Sequence, residues 1–146
     1  MVSELDLAKG ADRRARERFT YRPDPVSLDS TGGVTADQWQ SHHDDVLAGR
    51  GWSGDCDDLG STTLMLACLA GVSASRLYRA RVKSPDNPPG SDFDHFIGLY
   101  HAPDDSWHTL GDTYSPSIPL GHSGHELHSV ANVAEGLHAW YKAQNT

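Results

Sequence analysis

Trp52-Ser53-Gly54-Asp55-Cys56-Asp57-Asp58, running straight into residues 59–69 (LGSTTLMLACL), sets a cysteine at the entrance of an apolar run. That run is rich in Leu, Met and Ala, long enough for a buried helix, and Gly71 gives it a stop. Cys56 therefore falls in the first helical turn. There, N–H groups without intrahelical acceptors and the positive end of the helix dipole favour the thiolate, the nucleophilic form of cysteine.

Working outward, residues 4–19 read as a charged helix, and the TYRPDPVSLDSTGGV stretch after it, rich in Pro, Ser and Gly, reads as a linker or wrapping arm. This divides the chain into an N-terminal arm and linker over 1–34 and one domain over 35–146. Thr35-Ala36-Asp37-Gln38 fits a helix N-terminus, and the helix to Ala48 offers Trp39, Val46 and Leu47 to the core. Downstream of the Cys56 helix, residues 76–83 (RLYRARVK) alternate Tyr78, Ala80 and Val82 with Arg79, Arg81 and Lys83, the pattern of a strand with one face buried. Residues 84–92 form a loop, 95–100 (HFIGLY) a strand, 101–106 its turn and 107–110 the returning strand. A C-terminal helix over about Leu127–Lys142 would dock through Val130, Val133, Leu137, Trp140 and Tyr141. The order of elements points to an α+β domain with helices packed on a small antiparallel sheet.

Composition narrows the partners. The 146 residues carry 12 basic and 20 acidic side chains, a net charge of −8, which disfavours nucleic acid or an anionic membrane as the main partner. The Arg-rich segment Arg13, Arg14, Arg16, Arg18, Arg22 is interleaved with Asp12 and Glu17. The start, MVSELDLAKG, lacks the basic and apolar regions of a signal peptide, and no stretch approaches a membrane-spanning length, so a cytoplasmic protein is the expectation, with a phage or secreted particle as the other setting. In one helix Cys56 and Cys68 would stand about 18 Å apart, beyond disulfide reach. Two unpaired thiols suit a reducing compartment. Cys68 reads as a small core residue and Cys56, among Gly and Asp, as near solvent.

Cysteine catalysis needs an imidazole to take the thiol proton and a carboxylate to orient that imidazole. His95 opens one strand of the hairpin and Asp112 follows its partner. If Leu99 and Tyr100 pair near Trp107 and His108, His95 falls opposite or close to Asp112. Each residue alone also has a bland reading: His95 as a strand-end histidine, Asp112 as a turn former beside Gly111, and Asp57 and Asp58 as helix-dipole partners whose charge opposes a thiolate.

The combination GDCDD with its apolar helix, GVSASRLYRARV, DHFIGLY and LGD resembles the bacterial transglutaminase-like cysteine proteinases, within the transglutaminase-like, papain-related superfamily, over about residues 39–114. The resemblance implies a papain-like α+β fold and a triad of Cys56 as nucleophile, His95 as general base and acid, and Asp112 as orienter. It implies a protein or peptide substrate, attacked through a thioester acyl-enzyme. Family members include periplasmic proteases that use calcium held by acids flanking the cysteine, the positions of Asp55 and Asp57 here. The second of these is Asp where those members commonly have Glu. An oxyanion hole would use the Cys56 backbone N–H and an upstream donor, with Trp52 and Gln40 as the two candidates.

Water as second substrate would make this a peptidase or deamidase, and an amine would make it a transglutaminase. A non-enzymatic cation-binding or assembly module retaining the fold, or a component of a larger assembly, is the rival reading. The histidines raise a metal hypothesis, through His122, His125 and His128 and through His42-His43-Asp44-Asp45. No HExxH or paired CxxC supports it, and the first three would fan across a helix that Gly121 and Gly124 disfavour, so most of the histidines read as solvated.

Overall fold

The computed structural model describes residues 2–22, 41–84 and 95–134. Its elements run α1 (Glu4–Glu17), β1 (Phe19–Tyr21), α2 (His43–Leu47), β2 (Trp52–Gly54), α3 (Cys56–Ala70), β3 (Leu77–Lys83), β4 (His95–His101), β5 (Trp107–Leu110) and β6 (Glu126–Asn132). Strands β3 to β6 form one antiparallel sheet in the order β5-β4-β3-β6, while β1 and β2 pair in parallel as a separate ribbon.

Helix α3 starts where the sequence places Cys56, and its cap explains why. Asp55 Oδ1 accepts from the N–H groups of Asp57 (3.1 Å) and Asp58 (3.4 Å), and Asp58 Oδ2 accepts from Asp55 N–H at 3.1 Å. This reciprocal box satisfies donors that the helix cannot, a gain of about 1 kcal/mol. It also requires Gly54, since a Cβ there would run into the Asp58 side chain. Gly71, at φ 110°, ends the helix in the left-handed conformation.

Helix α1 lies within the segment read as an arm, yet Ala8, Ala11 and Ala15, spaced along one face, are buried against α3. Small side chains let the two helices approach closely, and they account for the low apolar signal of α1 in the sequence. At its end, β1 pairs with β2 (Phe19 opposite Trp52), tying α1 to the lead-in of α3. One core cluster joins Ala8, Ala11 and Ala15 to Leu59, Leu64, Leu66, Leu77, Tyr100 and Leu110; a second holds Ala80, Val82, Ile97 and Leu99. Cys56 and Cys68 are both free thiols and both half-buried, so Cys68 is less enclosed, and Cys56 less open, than the sequence reading had them.

The hairpin has the expected register, with Leu99 opposite Thr109 and Tyr100 opposite His108. Two expectations need correction. The C-terminal helix does not begin at Leu127: Glu126–Asn132 is a strand, β6, paired with β3 from Lys83–Glu126 to Tyr78–Asn132 through a bulge at Arg81/Val82. The helical spacing of Leu127, Val130 and Val133 is overridden because β3 offers a hydrogen-bonding edge, and Leu127 and Val130 stay exposed. Residues 135–146 of that expected helix lie outside the described residues. Within the helix expected to end at Ala48, the described part is helical only over His43–Leu47; Val46 packs on the core and Leu47 is exposed, while Trp39 lies outside the described residues.

Candidate active site

The three residues singled out in the sequence are brought to one end of the sheet. Val82 pairs with His95 on one side of β3, and Lys83 with Glu126 on the other, so the start of β4 and the approach to β6 flank the same stretch. Asp112 follows β5 immediately, after Gly111 turns the chain. Gly111 has φ +65°, and a Cβ there would stand 2.7 Å from both Gly60 Cα and Leu59 O. Only glycine fits so close to α3 in that conformation.

His95 Nε2 lies 3.0 Å from Asp112 Oδ1, with both side chains nearly inaccessible to solvent. An ionised carboxylate can only accept, so Nε2 carries the hydrogen and Nδ1 is the nitrogen left to the remainder of the site. Tyr114 N–H also donates to Asp112 Oδ1 at 3.0 Å, and the Tyr114 ring covers the His95 imidazole at 4.7 Å between centroids.

Sequence reasoning missed the second imidazole on Asp112. His125 Nε2 lies 2.6 Å from Asp112 Oδ2, with the His125 side chain 2% exposed. One ligating atom each of His95, Asp112 and His125 lies within 4.8 Å of the others. His125 had been one of three histidines at equal spacing; the pairing of β6, invisible in that spacing, directs it inward. Burial alone would raise the Asp112 pKa, but hydrogen bonds from His125, His95 and the Tyr114 N–H outweigh it and hold the carboxyl well below the usual carboxylate range.

Cys56 stands at the N-terminus of α3 beside the start of β4, where the Phe96 backbone N–H hydrogen-bonds to its sulfur. The expected dipole-stabilised thiolate is corrected by its surroundings. Burial pushes the thiol pKa up, the negative charges of Asp57 and Asp55 push it further, and the Phe96 N–H opposes them without prevailing. The thiol donates to Asp57 Oδ1 at 3.6 Å. It is held protonated.

Of the two upstream oxyanion candidates, Trp52 is not brought to the site. Its indole N–H donates to Ala15 O at 3.1 Å, and its ring packs against Phe19 and His42 in the core. Gln40 lies outside the described residues.

A buried carboxylate on α1 supports this end of the sheet. Asp12 is paired with Arg16 through both its oxygens (2.8 and 3.0 Å), and the same oxygens accept from Gly111 N–H at 2.7 Å and Ser117 N–H at 3.2 Å. Among the described residues, no helix is long and apolar enough to cross a membrane.

Comparison with known proteins gives one consistent likeness. No family model matches the chain, and no curated protein matches it by sequence. Solved structures of LapG from Legionella pneumophila do match in fold. An EGTA-treated form gives a TM-score of 0.59 at 17% identity over 86% of this chain, and a second structure gives 0.61 at 15% over 97%. A calcium-bound form gives 0.59 at 18% over 88%. This chain spans 61%, 79% and 65% of those LapG chains, respectively. The fold is therefore transglutaminase-like, a few helices against a small antiparallel sheet.

Proposed function

We propose that this protein is a cysteine-dependent amide hydrolase, a peptidase or deamidase, acting through Cys56, His95 and Asp112. The observation that carries the reading is the buried His95–Asp112 hydrogen bond at 3.0 Å, with Cys56 at the N-terminus of α3 hydrogen-bonded by the backbone of Phe96, the residue after His95. The likeness to LapG, a cysteine protease of this fold, supports it.

In this reading Nδ1 of His95 takes the Cys56 proton as the sulfur attacks the carbonyl carbon of an amide. Because burial and Asp57 keep the thiol protonated, proton removal accompanies attack rather than preceding it. Asp112 holds His95 in the Nε2–H tautomer and steadies the imidazolium. The Cys56 N–H, in the first turn of α3 where helix donors have no intrahelical acceptor, faces the developing oxyanion. The imidazolium returns the proton to the leaving amine as the C–N bond breaks, leaving a thioester. Water, deprotonated by His95, then cleaves the C–S bond to release acid and free thiol. An amine in place of water gives acyl transfer.

Asp55 and Asp57 offer the hard carboxylate oxygens that calcium takes, so the donor chemistry fits that ion, although Asp55 Oδ1 is already engaged in the helix cap. Bound there, a dication would offset the negative charge that holds the thiol protonated. Protein or peptide is the substrate class, and a role within a larger assembly is compatible with the reading.

The test is mass spectrometry of the protein after incubation with peptide or glutamine-amide esters, in the presence of calcium and of chelator. The reading expects a thioester adduct on Cys56 in wild type, absent in Cys56→Ala and His95→Ala. Adduct formation unchanged in His95→Ala would reject the Cys–His pair. A protein inert to every acyl donor, whose melting temperature rises with calcium, would favour the cation-binding module instead.

A further inference from the structure

We propose that His125 is a positioning residue for the same site: the second of two imidazoles that clamp Asp112, fixing the carboxylate that in turn fixes the His95 tautomer. The inference rests on the triad reading for its catalytic consequence, while the clamp is a property of the three side chains themselves. Asp112 is 0% exposed, and each of its oxygens is met by a different buried ring, Oδ1 by His95 Nε2 at 3.0 Å and Oδ2 by His125 Nε2 at 2.6 Å. A buried carboxylate oxygen without a donor is costly and leaves the group free to rotate. In this site Tyr114 N–H also lies on Oδ1, so His125 is the side chain that satisfies Oδ2.

The tautomer of His125 follows from the same geometry. Its Nδ1 is buried and has no hydrogen-bond partner among the described residues. A hydrogen on Nδ1 would be a buried donor without an acceptor among those residues. With the hydrogen on Nε2, Nδ1 leaves only a lone pair unmet, the smaller penalty. His125 thus donates to Asp112 Oδ2 through Nε2–H, which leaves Oδ1 to His95 and the Tyr114 N–H. The same spacing would suit a shared transition metal. A metal-bound imidazole, however, ordinarily gives its other N–H to an acceptor, and Nδ1 of His125 has none among the described residues.

The deciding measurement is long-range 1H–15N NMR of the imidazole rings in wild type, His125→Ala and His125→Gln. In wild type, His95 and His125 should each show one Nε2–H tautomer with slowly exchanging ring protons. His125→Ala should turn His95 into an exchanging mixture of tautomers, and His125→Gln, which keeps an N–H donor, should restore the single form. A single His95 tautomer that persists in His125→Ala overturns the clamp. So does a wild-type His125 ring that carries its proton on Nδ1 or averages like a solvated histidine, a result that needs no variant to fold. A stoichiometric metal ion retained by wild type and lost in His125→Gln overturns it as well. Alkylation of Cys56 in wild type and His95→Ala reports separately on the triad: if His95 has no effect there but the tautomer results hold, the triad reading fails and the clamp stands.

Discussion

Asp12 on the first helix accepts a 2.7 Å hydrogen bond from the backbone N–H of Gly111, 99 residues further along the chain and immediately before the site carboxylate Asp112. The amino-terminal helix thereby sets the position of the turn that delivers Asp112. Replacing Asp12 by Ala would leave the Gly111 and Ser117 N–H groups without their acceptor and Arg16 without its pair. We expect a loss of about 2–4 kcal/mol in urea unfolding. A change within experimental error would show that the turn holds itself without α1.

Gly111→Ala tests the same turn from the other side. With φ +65° and a Cβ position 2.7 Å from the α3 backbone, an added methyl must push Asp112 away from α3. The expected cost is at least about 2 kcal/mol, with a matching drop in melting temperature. Gly121→Ala, where a Cβ meets nothing within 4 Å, is the control and should be nearly silent.

The lowered pKa of Asp112 makes stability depend on acid. A carboxyl whose folded pKa lies below its unfolded value of about 3.9 contributes stability that is fully present above that value and lost as pH falls through the folded pKa. Chemical unfolding from pH 6 down to pH 2 should show a decline on the acid side that is shallower in Asp112→Asn. Parallel curves for the two proteins would mean that Asp112 is not held by its hydrogen bonds.

Cys56 should behave as a poor free nucleophile. Because burial and then the charge of Asp57 raise its pKa, iodoacetamide should modify it at pH 7 several-fold more slowly than a solvent-exposed thiol of pKa about 8.5. Asp57→Asn should speed the reaction. Peptide mass spectrometry of the alkylated protein separates Cys56 from Cys68, and a fast, pH-independent reaction of Cys56 would contradict the environment described.

The pairing of β6 can be broken at Ala131, which lies opposite Arg79 on β3. Proline there removes a backbone N–H and strains the ladder. Hydrogen exchange should rise along β6 and in β3 while α3 stays protected. Equal protection of β6 in the variant would show that the ladder does not depend on the Ala131–Arg79 pair.

Local signals were strong wherever one element decides its own structure. The helix after Cys56 was legible because Gly71 stops an apolar run that has Asp57 and Asp58 in its first turn, and the hairpin because alternation and turn residues set its register, which in turn placed His95 near Asp112. The signals failed where a partner far along the chain decides. Leu127, Val130 and Val133 have helical spacing, but the open edge of β3 makes that segment a strand. Ala8, Ala11 and Ala15 carry too little apolar area to announce a core helix, yet close approach to α3 is what small residues allow. By itself, then, the sequence determined the helix that starts at Cys56 and the hairpin whose register brings His95 to Asp112, since periodicity and turn residues within a few positions specify those. Only the tertiary structure decided that burial raises the Cys56 thiol pKa, that Trp52 serves the core and that His125 meets Asp112, because burial and long-range strand pairing depend on which distant segments close around a residue.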